Sequence, residues 1–153
     1  MTYLQPSANK TNNMKHLILA AIIVTATQLT YGQCEKKAVF TASKTEYLGA
    51  DSSVQRTDDE TTVIEFDKAA INITPGQQPT MTGKVNSTTC NWTTPYKAGR
   101  TRMKVALTNQ DGGTTDVTIT IEGKDGKITF LAEIDNAPDK KIRLVADKFE
   151  EKR

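Results

Sequence analysis

Apolar residues occupy every second position in four successive segments between Arg100 and Asp147, and short runs of turn-forming residues separate these segments. Successive side chains of a β-strand point to opposite faces of the sheet, so this alternation is typical of strands that bury one face. Short connections between such strands favour antiparallel pairing of neighbours. The stretch therefore predicts an antiparallel meander.

Asp125-Gly126 is the clearest turn signal in the chain. This dipeptide is favoured in two-residue type I′ turns, because both central positions need a positive φ. A turn at this point places Ile121 opposite Phe130 and gathers the large apolar residues of both strands, except Leu131, on one face. A slip of one residue would scatter them over both faces.

The same logic predicts the registers on either side of this hairpin. A three-residue loop at 111–113 keeps the apolar residues of the preceding strand on the shared face, and a five-residue loop at 136–140 does so for the following strand. Both registers also bring opposite charges together on the other face. The predicted pairs are Leu107 with Val117, Arg102 with Glu122, Ile142 with Ile134, and Arg143 with Glu133.

The earlier part of the chain has shorter alternating segments. Residues 38–47 suit a strand that ends in the turn 49–52, and a four-residue loop at 67–70 would place Phe66 opposite Ile71. Alternation resumes at 81–85, where Gly83 suits a bend or bulge. We predict that the irregular stretch from Ser87 to Gly99 is a long loop held by Cys90.

These segments predict an all-β fold, an antiparallel up-and-down meander of eight or nine strands. Closing such a meander into a barrel removes its exposed edges, so a closed barrel is the first expectation. A two-sheet β-sandwich uses the same patterns and is the alternative.

The N-terminal region has the pattern of a secretory signal. Residues 1–13 are polar and are interpreted as an over-extended start, and residues 14–32 combine Lys15 and His16 with an apolar run and a small-residue cleavage site at Gly32. The apolar run is shorter than the roughly 18 residues of a membrane span. We therefore expect a secreted or periplasmic protein in which residues 33–153 form a single domain with no stable membrane span.

Charge and composition narrow the range of functions that this protein can have. All 18 acidic residues and all but two of the 20 basic residues lie after residue 32, so the expected mature domain has no net charge and lacks the basic footprint of a nucleic-acid-binding protein. His16 is the sole histidine, and it lies in the predicted signal. Histidine-dependent triads and His-ligated metal sites are thereby excluded from the domain. We predict a protein that is not an enzyme and has no cofactor or metal.

Cys34 and Cys90 are the two cysteines. In an oxidising compartment they are expected to form a disulfide bond. The alternatives are a lipidated Cys34 at the mature N-terminus and a pair of free thiols.

Trp92, Tyr96 and Arg100 are the candidate ligand-binding residues. Together with the basic residues nearby they could hold an anionic or sugar-like partner through stacking and cation–π contacts. Alternatively, Trp92 packs against the disulfide, and the basic residues are surface groups.

Three segments carry a family resemblance: residues 40–43, residues 90–99 and residues 119–127. They resemble small secreted bacterial proteins described as lipocalin-like. Lipocalins carry a Gly-x-Trp motif on the first strand, and this chain departs from it, with Phe40 at the place of the tryptophan and Ala38 two residues before it. The resemblance implies a barrel that binds a small apolar ligand.

The sequence thus indicates a secreted or periplasmic, non-enzymatic binding protein, whose partner is a small ligand or an envelope protein. The alternative function is an envelope protein-interaction or inhibitor module with a filled core. The two differ in their interiors, since a ligand barrel needs an open cavity of about 300 Å³ or more.

Overall fold

The computed structural model describes residues 32–153 and is almost entirely β-structure. A 3-10 turn at Gln33–Glu35 precedes eleven strands, which form one antiparallel sheet. The predicted start segment and residues 14–31 of the predicted signal lie outside the described residues. The strands are β1 (Ala38–Ala42), β2 (Thr45–Leu48), β3 (Val54–Asp58), β4 (Thr62–Phe66), β5 (Ala70–Pro75), β6 (Met81–Thr94), β7 (Ala98–Thr108), β8 (Thr114–Lys124), β9 (Lys127–Ile134), β10 (Lys141–Val145) and β11 (Lys148–Glu151).

The strand order is that of a meander, except that the first three strands and the last strand are not placed in sequence order. Strands β4 to β10 are neighbours in sequence order, β11 and β1 lie at one end of the order, and β2 and β3 lie at the other. The predicted all-β antiparallel meander is confirmed, whereas the alternative sandwich would have two sheets. The strand count exceeds the predicted eight or nine, because the strand predicted at 38–47 is interrupted at Ser43-Lys44 and because β3 and β11 lack apolar alternation.

Two separate ladders share a single register. Strand β1 pairs with β11 from Ala38 opposite Glu151 onward, and β2 pairs with β10 up to Leu48 opposite Lys141. In both ladders, each step of one residue forward in the segment 38–48 matches one step backward in the segment 141–151, and there is no offset between the two ladders. Between them, the Asp147 backbone N–H donates to the Thr41 carbonyl at 2.8 Å. The β1–β11 and β2–β10 ladders therefore have the same register, and this hydrogen bond lies between them.

Two predicted hairpins are confirmed residue by residue. Asp125 and Gly126 have φ values of 52° and 77°, as a type I′ turn requires, and Ile121 lies opposite Phe130. In the β4–β5 hairpin, Phe66 lies opposite Ile71.

The predicted registers on both sides of the β8–β9 hairpin are wrong by two residues. The β7–β8 loop has five residues rather than three, because Asn109 closes it: its backbone N–H donates to the Gly113 carbonyl at 3.0 Å, and its Oδ1 accepts from the Gly113 N–H at 2.7 Å. The β9–β10 connection is also longer than predicted. A shift of two residues keeps every side chain on its predicted face. The observed pairs are Val105 with Val117, Arg100 with Glu122, Ile142 with Ala132, and Lys141 with Glu133.

The long loop predicted at 87–99 is also wrong, because β6 continues to Thr94 and β7 begins at Ala98. A bulge between Val85 and Ser87 explains the error. Before the bulge, the inward positions are the odd-numbered Gly83 and Val85, and after it the more buried positions are the even-numbered Cys90 and Trp92. A bulge adds one residue to its strand, so the simple alternation is lost in the sequence.

Aromatic rings fill one end of the inner face. Phe149 contacts four other rings, and the Phe40 and Phe130 rings, from strands far apart in the sheet order, have centroids 5.7 Å apart. The sheet therefore curls so that its inner face becomes the core. We call the rings around Phe149 the aromatic cluster; it consists of Phe40, Phe66, Trp92, Tyr96, Phe130 and Phe149.

Candidate ligand-binding cavity

The inner face lines an open cavity of about 680 Å³, and Trp92 is not part of its lining. Exposed residues of the β5–β6 and β7–β8 loops form its rim, among them Gln78 and Asp111. Its wall is mostly apolar, so it offers a surface to an apolar molecule. The apolar wall residues are Ile64, Ile73, Met81, Leu107, Val117, Phe130, Ala132, Ile134, Ile142 and Leu144.

The filled end and the hollow end of the core differ in their inward side chains. Trp92, Phe40 and Met103 are fully or almost fully buried and occupy the filled end. The wall of the hollow end includes shorter side chains such as Val117 and Ala132. Small inward residues leave space that facing side chains do not fill.

The charged residues of the cavity lie at its rim. Among residues 32–153 they are Arg56, Glu60 and Asp111, and the apolar wall formed by these residues has no charged side chain. The Arg56 guanidinium lies 3.9 Å from the centroid of the Tyr47 ring and forms an ion pair of 3.0 Å with Asp58. This cation–π contact holds Tyr47 and Arg56 together at the rim.

Two threonines form the buried polar part of the wall. The hydroxyl oxygens of Thr45 and Thr62 are 3.3 Å apart, and the residues are 5% and 3% exposed. Thr45 begins β2 and Thr62 begins β4, so the pair lies where the segment 38–48 passes from one neighbouring strand to another. We call Thr45 and Thr62 the hydroxyl pair.

The predicted ligand-binding residues lie elsewhere. Trp92 is fully buried in the aromatic cluster, where its Nε1–H donates to Thr101 Oγ1 at 2.8 Å. Arg100 is exposed on the outer face and forms an ion pair of 3.0 Å with Glu122. None of Trp92, Tyr96 and Arg100 lines the cavity, and the structure brings only Trp92 and Tyr96 together, through Phe149.

Tyr96 follows β6 with a φ of 58°, and its backbone N–H donates to Gln33 Oε1 at 2.6 Å. Its ring lies edge-on to Phe149, with centroids 5.1 Å apart. The hydroxyl oxygen is buried and has no hydrogen-bond partner within residues 32–153. Burial, and secondarily the negative charge of Glu151, raise the pKa of this phenol, since both disfavour the phenolate.

The disulfide bond between Cys34 and Cys90 is present, with the Cα atoms 6.0 Å apart. It joins the N-terminal turn to β6 beside Trp92, and the Thr101 hydroxyl contacts Cys90 Sγ at 3.3 Å. The predicted pairing is confirmed, and the bond secures the filled end of the core.

Sequence reasoning missed the β2–β3 side of the cavity, which contributes Thr45, Tyr47 and Arg56. Strand β3 is mostly exposed and shows no apolar alternation, so nothing in its sequence signals a strand.

No model of a protein family matches the chain, and neither a curated protein nor a solved structure does so. Across residues 32–153, there is no helix with the length and apolar character needed to cross a membrane. In the same residues, no group of three or more His, Cys, Asp or Glu side chains is placed to hold a metal ion.

Proposed function

We propose that this is a non-enzymatic binding protein that takes a small apolar ligand into the cavity. The observation that carries the proposal is the size and lining of this space: about 680 Å³ with a predominantly apolar wall and a polar rim. Ligand sites are typically clefts of about 300–1,000 Å³ with apolar walls and a few polar groups. The alternative of an interaction or inhibitor module with a filled core has less support, because only the end around Trp92 is filled.

We further propose that the sheet closes into a lipocalin-like barrel. The shared register of the segments 38–48 and 141–151 supports this closure. Its other support is the bend at 146–147, where the Ala146 N–H donates to the Ile128 carbonyl of β9 and the Asp147 N–H donates to the Thr41 carbonyl of β1. The segment 141–151 would then pair with β9 on one side and with β1 on the other, which closes the sheet into a barrel. The cavity would lie at the open end of this barrel.

A secreted or periplasmic location is part of the same proposal. The signal-like pattern of residues 14–32 supports it, and so does the Cys34–Cys90 disulfide, because disulfides persist mainly in oxidising compartments.

The experiment uses the hydrocarbon fluorophore 1,6-diphenyl-1,3,5-hexatriene, which gains fluorescence in apolar surroundings. We expect saturable binding of one molecule per folded chain. Ala132→Phe, which places a ring in the cavity, should weaken binding at least about tenfold, equivalent to about 1.4 kcal/mol. Ala106→Phe is the matched control, because Ala106 lies opposite Lys84 and Asp116 on the outer face.

Circular dichroism would establish that both variants are folded. The proposal is refuted if the folded wild-type protein shows no saturable binding. It is also refuted if folded Ala132→Phe binds the fluorophore as tightly as Ala106→Phe does.

A further inference from the structure

We infer that the cavity selects uncharged ligands that carry one hydroxyl or carbonyl oxygen, and that the hydroxyl pair recognises this oxygen. The inference rests on the proposed function and names its ligand class. It would make Thr45 and Thr62 the specificity-determining residues of the cavity.

The hydroxyl pair has unused hydrogen-bonding capacity. Each threonine hydroxyl supplies one donor and two acceptor lone pairs. The single bond between Thr45 and Thr62 uses one of the two protons, and within residues 32–153 neither side chain makes another hydrogen bond. One donor therefore remains, in residues that are at least nine-tenths buried and line the cavity. A buried donor without an acceptor is destabilising, so an oxygen of the ligand would be its complement.

The charges around the cavity disfavour an anionic head group. Arg56, the one basic residue of the lining, is already paired with Asp58. Glu60 and Asp111 form no ion pair within residues 32–153, so they give the rim an excess of negative charge.

The position of Glu60 sharpens this argument. It precedes Thr62 by two residues, a chain distance of at most about 7 Å. Glu60 lines the same cavity as the hydroxyl pair, so its carboxylate repels a ligand carboxylate that enters this space. The ligand carboxylate would also be desolvated without a counter-charge in the wall. An ammonium group would be attracted by Glu60, but it has no acceptor for the remaining donor of the hydroxyl pair and would leave that donor unpaired, so a neutral oxygen is favoured over either charge.

The test compares three ten-carbon compounds that differ only in the head group: 1-decanol, decanoate and decylammonium. Each is titrated against the bound hydrocarbon fluorophore at neutral pH. We expect 1-decanol to bind at least about tenfold more tightly than either charged compound.

The double variant Thr45→Val/Thr62→Val removes both hydroxyls while keeping the shapes of the side chains, whereas either single variant would leave one hydroxyl with a free donor. We expect the double variant to weaken 1-decanol binding about threefold to tenfold, the net effect of one neutral hydrogen bond, and to leave binding of the hydrocarbon fluorophore unchanged. Thr120→Val is the matched control, because Thr120 of β8 lies on the outer face of the sheet, between Arg102 and Leu131.

The outcomes separate this inference from the proposed function. If the fluorophore binds but decanoate or decylammonium competes as well as 1-decanol, the inference is overturned and the binding function stands. The same conclusion follows if the double variant Thr45→Val/Thr62→Val leaves 1-decanol binding unchanged. If the fluorophore does not bind at all, the proposed function itself is refuted, and the inference with it.

Discussion

Substitution of Ile121 is the most direct test of the packing at the filled end of the core. Ile121 is 0% exposed and lies between Thr101 on β7 and Phe130 on β9. Ile121→Ala removes three carbon atoms, which corresponds to about 2.4 kcal/mol of transfer free energy at about 0.8 kcal/mol per buried group. The void left in a rigidly packed region adds to this loss. We therefore expect the free energy of unfolding to fall by about 2–5 kcal/mol.

Thr120 is the within-strand control for this substitution. Its side chain points to the outer face and is half-buried. Thr120→Ala should lower the free energy of unfolding by less than about 1 kcal/mol, mainly through the lost strand preference of threonine. Any general weakening of the β8–β9 hairpin would affect both variants alike, so their difference isolates burial.

Urea denaturation followed by circular dichroism gives both values, provided that the dependence of the free energy on urea is the same for both variants. Equal losses would refute the assignment of Ile121 to the inner face. A larger loss at Thr120 would do so more strongly, because it would place the alternation of β8 the other way round.

Three further predictions concern the filled end. Reducing the Cys34–Cys90 disulfide should lower the free energy of unfolding by about 4 kcal/mol in the chain-entropy model without abolishing the fold; unchanged denaturation after complete reduction would contradict this. Tyr96→Phe removes the buried hydroxyl that lacks a partner and should raise the unfolding free energy by about 1 kcal/mol, whereas a loss of stability in urea would show that the hydroxyl is satisfied. The backbone N–H groups of Ala69 and Ala70 lower the pKa of Asp67, so its stabilising effect is present above the ordinary value of 3.8 and is lost as pH falls through the lower folded pKa; a carboxyl NMR titration with a midpoint at or above 3.8 would contradict this.

The sequence predicted which face of the sheet each side chain lies on better than it predicted which residues pair between neighbouring strands. The Asp125-Gly126 turn fixed the β8–β9 register because its conformation permits a loop of only two residues. The loop after Thr108 has no such constraint in the sequence alone. Asn109 sets its length through bonds to Gly113, and the charge pair then forms at Arg100 rather than Arg102. Both choices satisfy the apolar alternation, so hydrophobic patterning could not separate them.

The cavity was not predictable from alternation, because it depends on which strands meet across the core. The alternation in a strand shows which residues lie on the inner face of the sheet. It does not show how far these residues lie from the strands on the other side of the core. Thr45 and Thr62 illustrate the point: Thr62 shares the inward alternation of Ile64 and Phe66, but Thr45 meets it only because the segment 38–48 changes neighbours between Ala42 and Thr45. Such a crossing is a tertiary event that local propensity does not encode.

The division of the core into two ends has a physical basis in stability. An unfilled space forfeits dispersion contacts along its lining, so a cavity of about 680 Å³ makes the surrounding strands less stable than a packed core would. The opposite end offers compensation, because its aromatic cluster is well packed and the disulfide beside Trp92 reduces the entropy of the unfolded chain. Stabilisation at one end therefore compensates for the open volume at the other end, which has a lower local stability and which the proposed ligand binding requires.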